Sequence, residues 1–537
     1  MEFNATCLNL ASIIEHHARL TPKREAVIYG DNRITYGTLH AISNRVAHAL
    51  VKMGIKKGDK VALSCPNRPY FPIVYYGILK AGAVVVPLSI LLRPREIKYH
   101  LEDSDSKAVF AFEGSEELPI AKFVKEAFDS VKSCENMVVM CNEPTKATDV
   151  VGAKTFLQAT FEHPDTFETV TTDAHDTAAI LYTSGTTGKP KGAELSHLNI
   201  YSNAITSYLV HLPVSDFTSS PQKSCLITLP LFHTTGQTVQ MNSQLYAGNR
   251  IVLLPRFEPK QTLETMIDEK INYWVGVPTM YWALLRFAEE SKMDISGISK
   301  NLIGCTSGGA PLPVEVMKGF EKRFNVRVFE GYGLSETSPL VTFNHFERPS
   351  KPGSVGQPIL GVEVKCFDDK DKEVKSGERG EIVVRGSNIM KGYYKRPKDS
   401  KIALRNGWFH TGDIGIIDEE GYLQIVDRKK DMILRGGYNV YPRELEEVML
   451  THPAISLCAV IGVPDAKMGE EVKAYIVLKS GETLTETAFF KWCAEQFAKN
   501  KCPRFVEFRD ELPIGGTGKI LKRALREEAQ ATFTKTL

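Results

Sequence analysis

The run Tyr182-Thr-Ser-Gly-Thr-Thr-Gly-Lys-Pro-Lys-Gly192 gathers glycines, hydroxyls on Thr183, Ser184, Thr186 and Thr187, and two lysines, Lys189 and Lys191. That mixture suits a phosphate chain. Glycine lets the backbone approach an anion, hydroxyls and amide N–H groups donate to its oxygens, and lysine neutralises its charge. The run follows the apolar residues 178–181 and precedes a predicted helix opening near Ser196-His197, so strand, loop and helix are expected in succession. It is not a Walker A loop, which places four residues between its glycines; here only Thr186 and Thr187 separate Gly185 from Gly188. A flexible polar linker would account for the glycines, but not for two lysines among so many hydroxyls.

Further segments downstream could serve the same chemistry. Leu229-Pro-Leu-Phe-His-Thr-Thr-Gly236 sets His233 after a strand, where it gates a pocket or simply packs. Thr306-Ser-Gly-Gly-Ala-Pro311 offers small residues, including Gly308 and Gly309, that let backbone approach a flat ligand. In Glu330-Gly-Tyr-Gly-Leu-Ser-Glu-Thr337, Tyr332 could stack on a purine and Glu336 could ligate a hard cation through oxygen. Taken alone, that stretch is equally an ordinary turn with a surface glutamate. Trp408-Phe-His-Thr-Gly-Asp413 supplies a carboxylate suited to a ribose diol. Leu512-Pro-Ile-Gly-Gly-Thr-Gly-Lys519 ends a glycine-rich loop on a long flexible cation, which either reaches into another domain or is solvated like most lysines.

In this order, and over most of the chain, these segments resemble the acyl-adenylate-forming (AMP-binding) superfamily of acyl-CoA synthetases, luciferases and peptide-synthetase adenylation domains. Asp427-Arg-Lys-Lys-Asp-Met-Ile433 and Gly436-Gly-Tyr-Asn-Val-Tyr-Pro442 are most similar to bacterial medium/long-chain fatty-acyl-CoA synthetases. The resemblance implies ATP, Mg²⁺ and the co-substrate CoA, and assigns residues to each. Thr183, Ser184, Gly185, Thr186, Thr187, Gly188, Lys189 and Lys191 would hold the β- and γ-phosphates, with Thr183 and Glu336 also holding the metal. Tyr332 and the Gly308-Gly309 backbone would enclose the base, Asp413 and Arg428 would bind the ribose, and Gly331, Gly333 and Thr337 would also belong to the ATP site. Lys519 would bridge the substrate carboxylate and the α-phosphate, so that Lys519, Glu336 and Thr183 form the catalytic set. His233, Thr235, Val239, Gly276, Ser307 and Leu334, with Gly308, would line the acyl pocket. A small C-terminal domain would turn about Lys430 to present Gly436, Gly437 and Tyr438 to pantetheine. One departure is Leu434, which stands where related ligases often carry a lysine contacting AMP; Arg435 is the neighbour that could replace it.

The elements that must position these residues are legible in outline. Leu39, Ile42, Val46, Ala49 and Leu50 recur at helical spacing after Thr38, which could cap that helix. Gly58-Asp59 then turns into the strand 61–63, and a second helix leads to the strand 83–86, a βαβ pattern. Similar strand cores recur at 225–229, 251–254 and 273–275, and short strands with tight turns take over after Gly353. The predicted fold is α/β with an α+β C-terminal domain. Residues 1–429 would form parallel-rich sheets layered with helices plus a small β-barrel-like part, and 430–537 a mobile domain carrying Lys519.

Composition sets the remaining bounds. A chain of 537 residues carries roughly two to four domains. A net charge of +2 gives no electrostatic case for nucleic acid or an anionic membrane. The ten cysteines include no CxxC pair, which favours a reducing cytosol over zinc or disulfide scaffolding. Met1-Glu-Phe-Asn-Ala-Thr lacks the basic region of a secretory signal, and Lys535-Thr-Leu537 does not match a Ser-Lys-Leu address. The apolar residues 70–92 are interrupted by Pro72, Lys80, Gly82 and Pro87 and are read as core.

The expected function is therefore cytoplasmic, ATP-dependent, AMP-forming activation of a fatty acid and its transfer to CoA. The alternatives are an aryl or short thioether acid as substrate, a luciferase-like oxygenase, or a non-catalytic nucleotide binder. The expected partners are small molecules, with a homodimer and peripheral membrane contact left open.

Overall fold

The computed structural model describes residues 6–183, 189–211, 222–348, 350–429, 431–465, 467–515 and 518–533. Residues 184–188 of the phosphate-type loop and the expected hinge Lys430 lie outside the described residues.

Two large sheets, rich in parallel strands, dominate the first part of the chain. The eight-stranded sheet centres on Val84–Pro87, Lys60–Ser64 and Ser106–Phe112, paired in parallel and flanked by Thr177–Thr183. Val84, Val85, Val86 and Pro87 are all buried, as expected of a parallel strand covered by helices on both faces. The nine-stranded sheet runs Ser224–Ile227, Tyr273–Gly276, Gly304–Gly308 and Val328–Gly333 in parallel, then turns antiparallel at Leu340–Phe343. Gly308 and Gly331 lie opposite each other at the C-terminal ends of adjacent strands, where parallel sheets place their ligand sites.

Local signals mostly give the expected elements. The helix with Leu39, Val46, Ala49 and Leu50 buried spans Tyr36–Lys52. Its cap is Thr35 rather than Thr38: Thr35 is extended, and its Oγ1 accepts the Thr38 N–H at 3.2 Å. Residues 70–92 form the helix Tyr70–Lys80, a Gly82 turn at φ +70° and the strand Val84–Pro87. Among the described residues no helix is long and apolar enough to cross a membrane.

One expectation at the phosphate-type loop is corrected. The loop does not run from strand directly into helix. Lys191–Ser196 is a second strand, antiparallel to Thr177–Thr183, and only then does Ser196 cap the helix His197–Val210. The loop therefore bridges a β-hairpin. Gly192 lets that hairpin close, because a Cβ there would stand 2.6 Å from Ile180.

After Gly353 the expected short strands assemble into a four-stranded antiparallel sheet of Val362–Phe367, Arg379–Gly386, Phe409–Ile417 and Leu423–Arg428. One hydrophobic core extends from Leu10 to Leu423. From Ile433 onward the buried residues form two further clusters, around Ile433–Cys493 and Ala459–Ala529, on a sheet built from the long hairpin Ile455–Asp465 and Gly469–Leu478.

Candidate active site

A cavity of about 840 Å³ opens where the ends of the nine-stranded sheet, the four-stranded sheet and the C-terminal unit meet. Gly309, Gly331, Tyr332, Gly333, Asp413, Arg428 and Lys519 all line it, so the structure brings together residues spread over two hundred positions of the chain.

Strand pairing sets the first group. Asp413 and Arg428 face each other in the register of neighbouring antiparallel strands, with Arg428 Nε 3.1 Å from Asp413 Oδ1. Tyr332 donates its hydroxyl to Asp413 Oδ2 at 2.7 Å. A buried carboxylate is thus held between a phenol and a guanidinium at the cavity wall. Gly333 is required by sterics, since a Cβ there would fall 1.7 Å from the Pro339 carbonyl oxygen.

A second group surrounds the base of the hairpin loop. Thr183 Oγ1 and the Tyr393 hydroxyl both donate to Glu336 Oε1, at 3.2 and 3.0 Å. Glu336 sits in the 3₁₀ turn Ser335–Thr337 and is buried. The Thr337 hydroxyl, fully buried, donates to the Pro339 carbonyl at 2.6 Å and organises that turn. The two loop lysines are placed differently from each other. Lys191 pairs with Asp399 at 2.9 Å and lies over the Tyr393 ring, whereas Lys189 is exposed and lies over Tyr99. Tyr99 also donates to the Pro190 carbonyl at 2.7 Å, tying down the far end of the loop.

Lys519 enters from the C-terminal unit. Its loop is held by the Gly515 N–H to the Lys519 carbonyl at 2.8 Å, and by Thr279 Oγ1, which donates to the Gly518 carbonyl at 2.6 Å. The side chain lies across Gly309, where a Cβ would be 2.8 Å from Lys519 Cε. Gly309 also has φ +80°, so it is needed both for its backbone and for its missing side chain. Burial pushes the Lys519 ammonium down to about 8, and repulsion from Arg428 adds to this while Asp413 opposes it. His233 is lowered to about 4, by burial and then by Lys519, and therefore faces the lysine as a neutral imidazole at neutral pH.

Other expected residues are not brought to the cavity wall. His233, Thr235, Val239, Gly276, Ser307 and Leu334 do not line it. The space beside Gly276 is taken by the indole of Trp274, 2.6 Å from where a Cβ would stand. The Gly436-Gly437-Tyr438 turn, with positive φ at both glycines, closes the hairpin Ile433–Arg435/Tyr438–Val440; it does not line the cavity, and Tyr438 is exposed. Leu434 is exposed as well. Arg435 does not take the place of the missing lysine in this arrangement. Its Nη1 donates to the carbonyls of Lys499, Asn500 and Cys502, and its Nε pairs with Glu471 at 2.7 Å.

Tyr393, Asp399 and Thr279 are participants that the sequence reading does not single out. The only local sign is the aromatic doublet Tyr393-Tyr394 beside a charge run; their proximity to Glu336, Lys191 and Gly518 arises from tertiary packing.

The chain matches known proteins over nearly its whole length. Residues 14–394 fit the AMP-binding enzyme family model and 444–519 the AMP-binding enzyme C-terminal domain. A long-chain-fatty-acid–CoA ligase of Bacillus subtilis (strain 168) is 36% identical over 535 residues, covering 97% of this chain and 94% of that one. A feruloyl-CoA synthase of Amycolatopsis sp. is 34% identical over 510 residues, covering 95% and 96%. The solved structure of the anthranilate CoA ligase AuaEII in complex with anthranoyl-AMP superposes with a TM-score of 0.88 at 28% identity, covering 99% of both chains. The chain belongs to the AMP-binding enzyme family.

Proposed function

We propose that this protein is an ATP-dependent, AMP-forming acid–CoA ligase acting on fatty acids. The observation that carries the reading is the seating of Lys519 on Gly309, beside the Tyr332–Asp413–Arg428 cluster, with Thr183 and Glu336 in the same constellation. The fatty-acid assignment is supported by the Bacillus subtilis relative.

A free carboxylate acylates poorly because its leaving group would be oxide. In the proposed first step the carboxylate oxygen attacks the α-phosphorus of ATP. The bond to the β-bridging oxygen breaks, and acyl-AMP and pyrophosphate form. No general base is needed, because the acid is already ionised at neutral pH. Lys519 neutralises the charge that accumulates as carboxylate and triphosphate meet, in a site with little water to reorganise. The Asp413 carboxylate accepts from the ribose hydroxyls, aided by Arg428, and Tyr332 with Gly308 and Gly309 borders the base. The hairpin loop, with Lys189 and Lys191, orients the outer phosphates. A single buried carboxylate beside a hydroxyl fits a Mg²⁺ that keeps phosphate and water ligands, so Glu336 and Thr183 would hold it. When bound, that ion supplies Lewis-acid charge neutralisation on the phosphates.

In the second step the CoA sulfur attacks the acyl carbon, AMP leaves and the thiol proton is released. We assign this step to a second orientation, in which the unit from residue 430 onward turns about Lys430, Lys519 withdraws and Gly436–Tyr438 replaces it. The separate hydrophobic clusters beyond Ile433 support a unit able to move as a body. Aryl acids are the second reading, favoured by the feruloyl-CoA synthase and the anthranilate ligase.

Pyrophosphate release and CoA-thioester formation should be assayed against a graded series of straight-chain fatty acids alongside benzoate, anthranilate and ferulate. Turnover that rises with alkyl chain length supports the fatty-acid assignment. Turnover confined to aryl acids would replace it, and adenylate formation without CoA transfer would overturn the ligase reading.

A further inference from the structure

We propose that Arg443 and Asp427 form a latch across the hinge that holds the C-terminal unit in the orientation seating Lys519. Arg443 is thereby a positioning residue for adenylate formation. This rests on the two-orientation reading above.

The helix Pro442–Met449 opens the C-terminal unit, and its own N-cap residue, Tyr441, makes no capping hydrogen bond from its side chain. The missing acceptor comes from before the hinge. Asp427 Oδ2 accepts the Arg443 backbone N–H at 3.0 Å, acting as a cap donated by another part of the chain. The Arg443 guanidinium reaches back over the same boundary, with Nη1 donating to the Ile425 carbonyl at 2.5 Å. Ile425 and Asp427 both lie on the strand Leu423–Arg428, which pairs with the strand carrying Asp413. Both partners of the latch are 6% exposed. Asp427 Oδ1 is fixed separately by the Arg428 N–H at 2.7 Å, so the carboxylate is already oriented toward the helix.

The helix relays this contact to the catalytic lysine. Glu446, one turn beyond Arg443, pairs with Lys522 at 2.6 Å, and Lys522 lies three residues after Lys519. Arg526, on the helix Lys522–Phe533 that begins at Lys522, pairs with Asp431 at 2.7 Å, just past the expected hinge. The connections therefore run from the strand through Arg443 to Glu446, Lys522 and the Lys519 loop. If the unit turns about residue 430, the strand stays behind with its acceptors and the Arg443 donors leave them. Bonds present in only one orientation bias the equilibrium toward that orientation.

The test is the ratio of ATP–pyrophosphate exchange to thioester formation from supplied acyl adenylate, both measured on the same preparation. Any unfolded fraction lowers both rates equally and leaves the ratio unchanged, so a purely structural defect does not mimic the effect. Arg443→Gln should lower the ratio roughly ten-fold, and Asp427→Asn, which keeps an acceptor, roughly three-fold. Lys519→Ala serves as the reference. A ratio unchanged in Arg443→Gln, beside a collapsed ratio in Lys519→Ala, would overturn the latch while leaving two orientations standing. An unchanged ratio in Lys519→Ala would remove the role assigned to Lys519, and with it the basis of the latch as a positioning device.

Discussion

Lys519 combines two properties that usually exclude each other: it is a cation, and it is packed where a cation is costly. The burial that lowers it to about 8, with Arg428 adding to the effect, would also strengthen its pull on an incoming triphosphate. Lys519→Ala should abolish adenylate formation and leave thioester formation from supplied acyl-AMP largely intact; equal loss of both half-reactions would remove the assigned role. The lowered value also sets a pH dependence. Lys519 is charged below about 8 and loses its proton as pH rises through that value, so kcat/KM for ATP in the exchange reaction should fall on an alkaline limb centred near 8. In Lys519→Arg, which stays charged, that limb should disappear even if the rate is lower. A limb at the same pH in the arginine variant would assign it to another group. Glu336, Asp413 and Lys519 were visible as candidates in the sequence because a carboxylate or a lysine beside glycine-rich turns suits contacts to a cation, a ribose or a phosphate. Tyr393 was not, because a phenol acquires its role only when folding sets it 3.0 Å from Glu336. Tyr393→Phe should raise the KM for Mg-ATP roughly five-fold, the worth of one modest hydrogen bond, with little change in fatty-acid KM.

At the scale of elements, alternating strand and helix signals gave the parallel sheets, because buried strands such as Val84–Pro87 and amphipathic helices such as Tyr36–Lys52 have unambiguous periodicity. The hairpin at the phosphate-type loop was hidden for the converse reason. Lys191–Ser196 starts with Lys-Gly-Ala-Glu, which carries little strand propensity, and its pairing with Thr177–Thr183 is decided by the sheet. The correction changes the physics of the loop. An anion held there would meet the loop's own hydroxyls and lysines, with the helix His197–Val210 one strand further along the chain. The strand end Gly304–Gly308 leads into Gly309, and here geometry gives a sharp expectation. Gly309→Ala adds a Cβ 2.8 Å from Lys519 Cε at a backbone angle of φ +80°. The variant should lose adenylate formation by roughly a hundred-fold while thioester formation, for which Lys519 would have withdrawn under the proposed second orientation, changes far less. Comparable losses in the two half-reactions would show that Gly309 serves general folding instead.

At the scale of the whole molecule, a large core ending at Leu423 and the smaller hydrophobic clusters that begin at Ile433 flank one cavity. Sequence texture placed that boundary near residue 430, but it could not show how the two sides are held. Lys519 on Gly309, Thr279 on Gly518 and Arg443 on the strand Leu423–Arg428 are contacts between residues far apart in the chain. Trp274 and Gly276 share one face of the strand Tyr273–Gly276, but that the indole folds over Gly276 is set by its rotamer and not by the spacing. The Gly436–Tyr438 turn does not line the cavity in this arrangement, so a second orientation is needed if those residues meet CoA. A pivot is then required in the short link, and Lys430 is the residue to test. Proline there fixes φ near about −65° and removes the amide N–H, so the link loses the torsional freedom a turning unit needs. Lys430→Pro should release a single turnover's worth of pyrophosphate in a burst, retain acyl-AMP on the protein and then stall, with steady-state thioester formation down roughly a hundred-fold. Because the burst reports an intact first step in the same sample, a stalled second step cannot be ascribed to misfolding. Undiminished steady-state turnover would place the pivot elsewhere in the link.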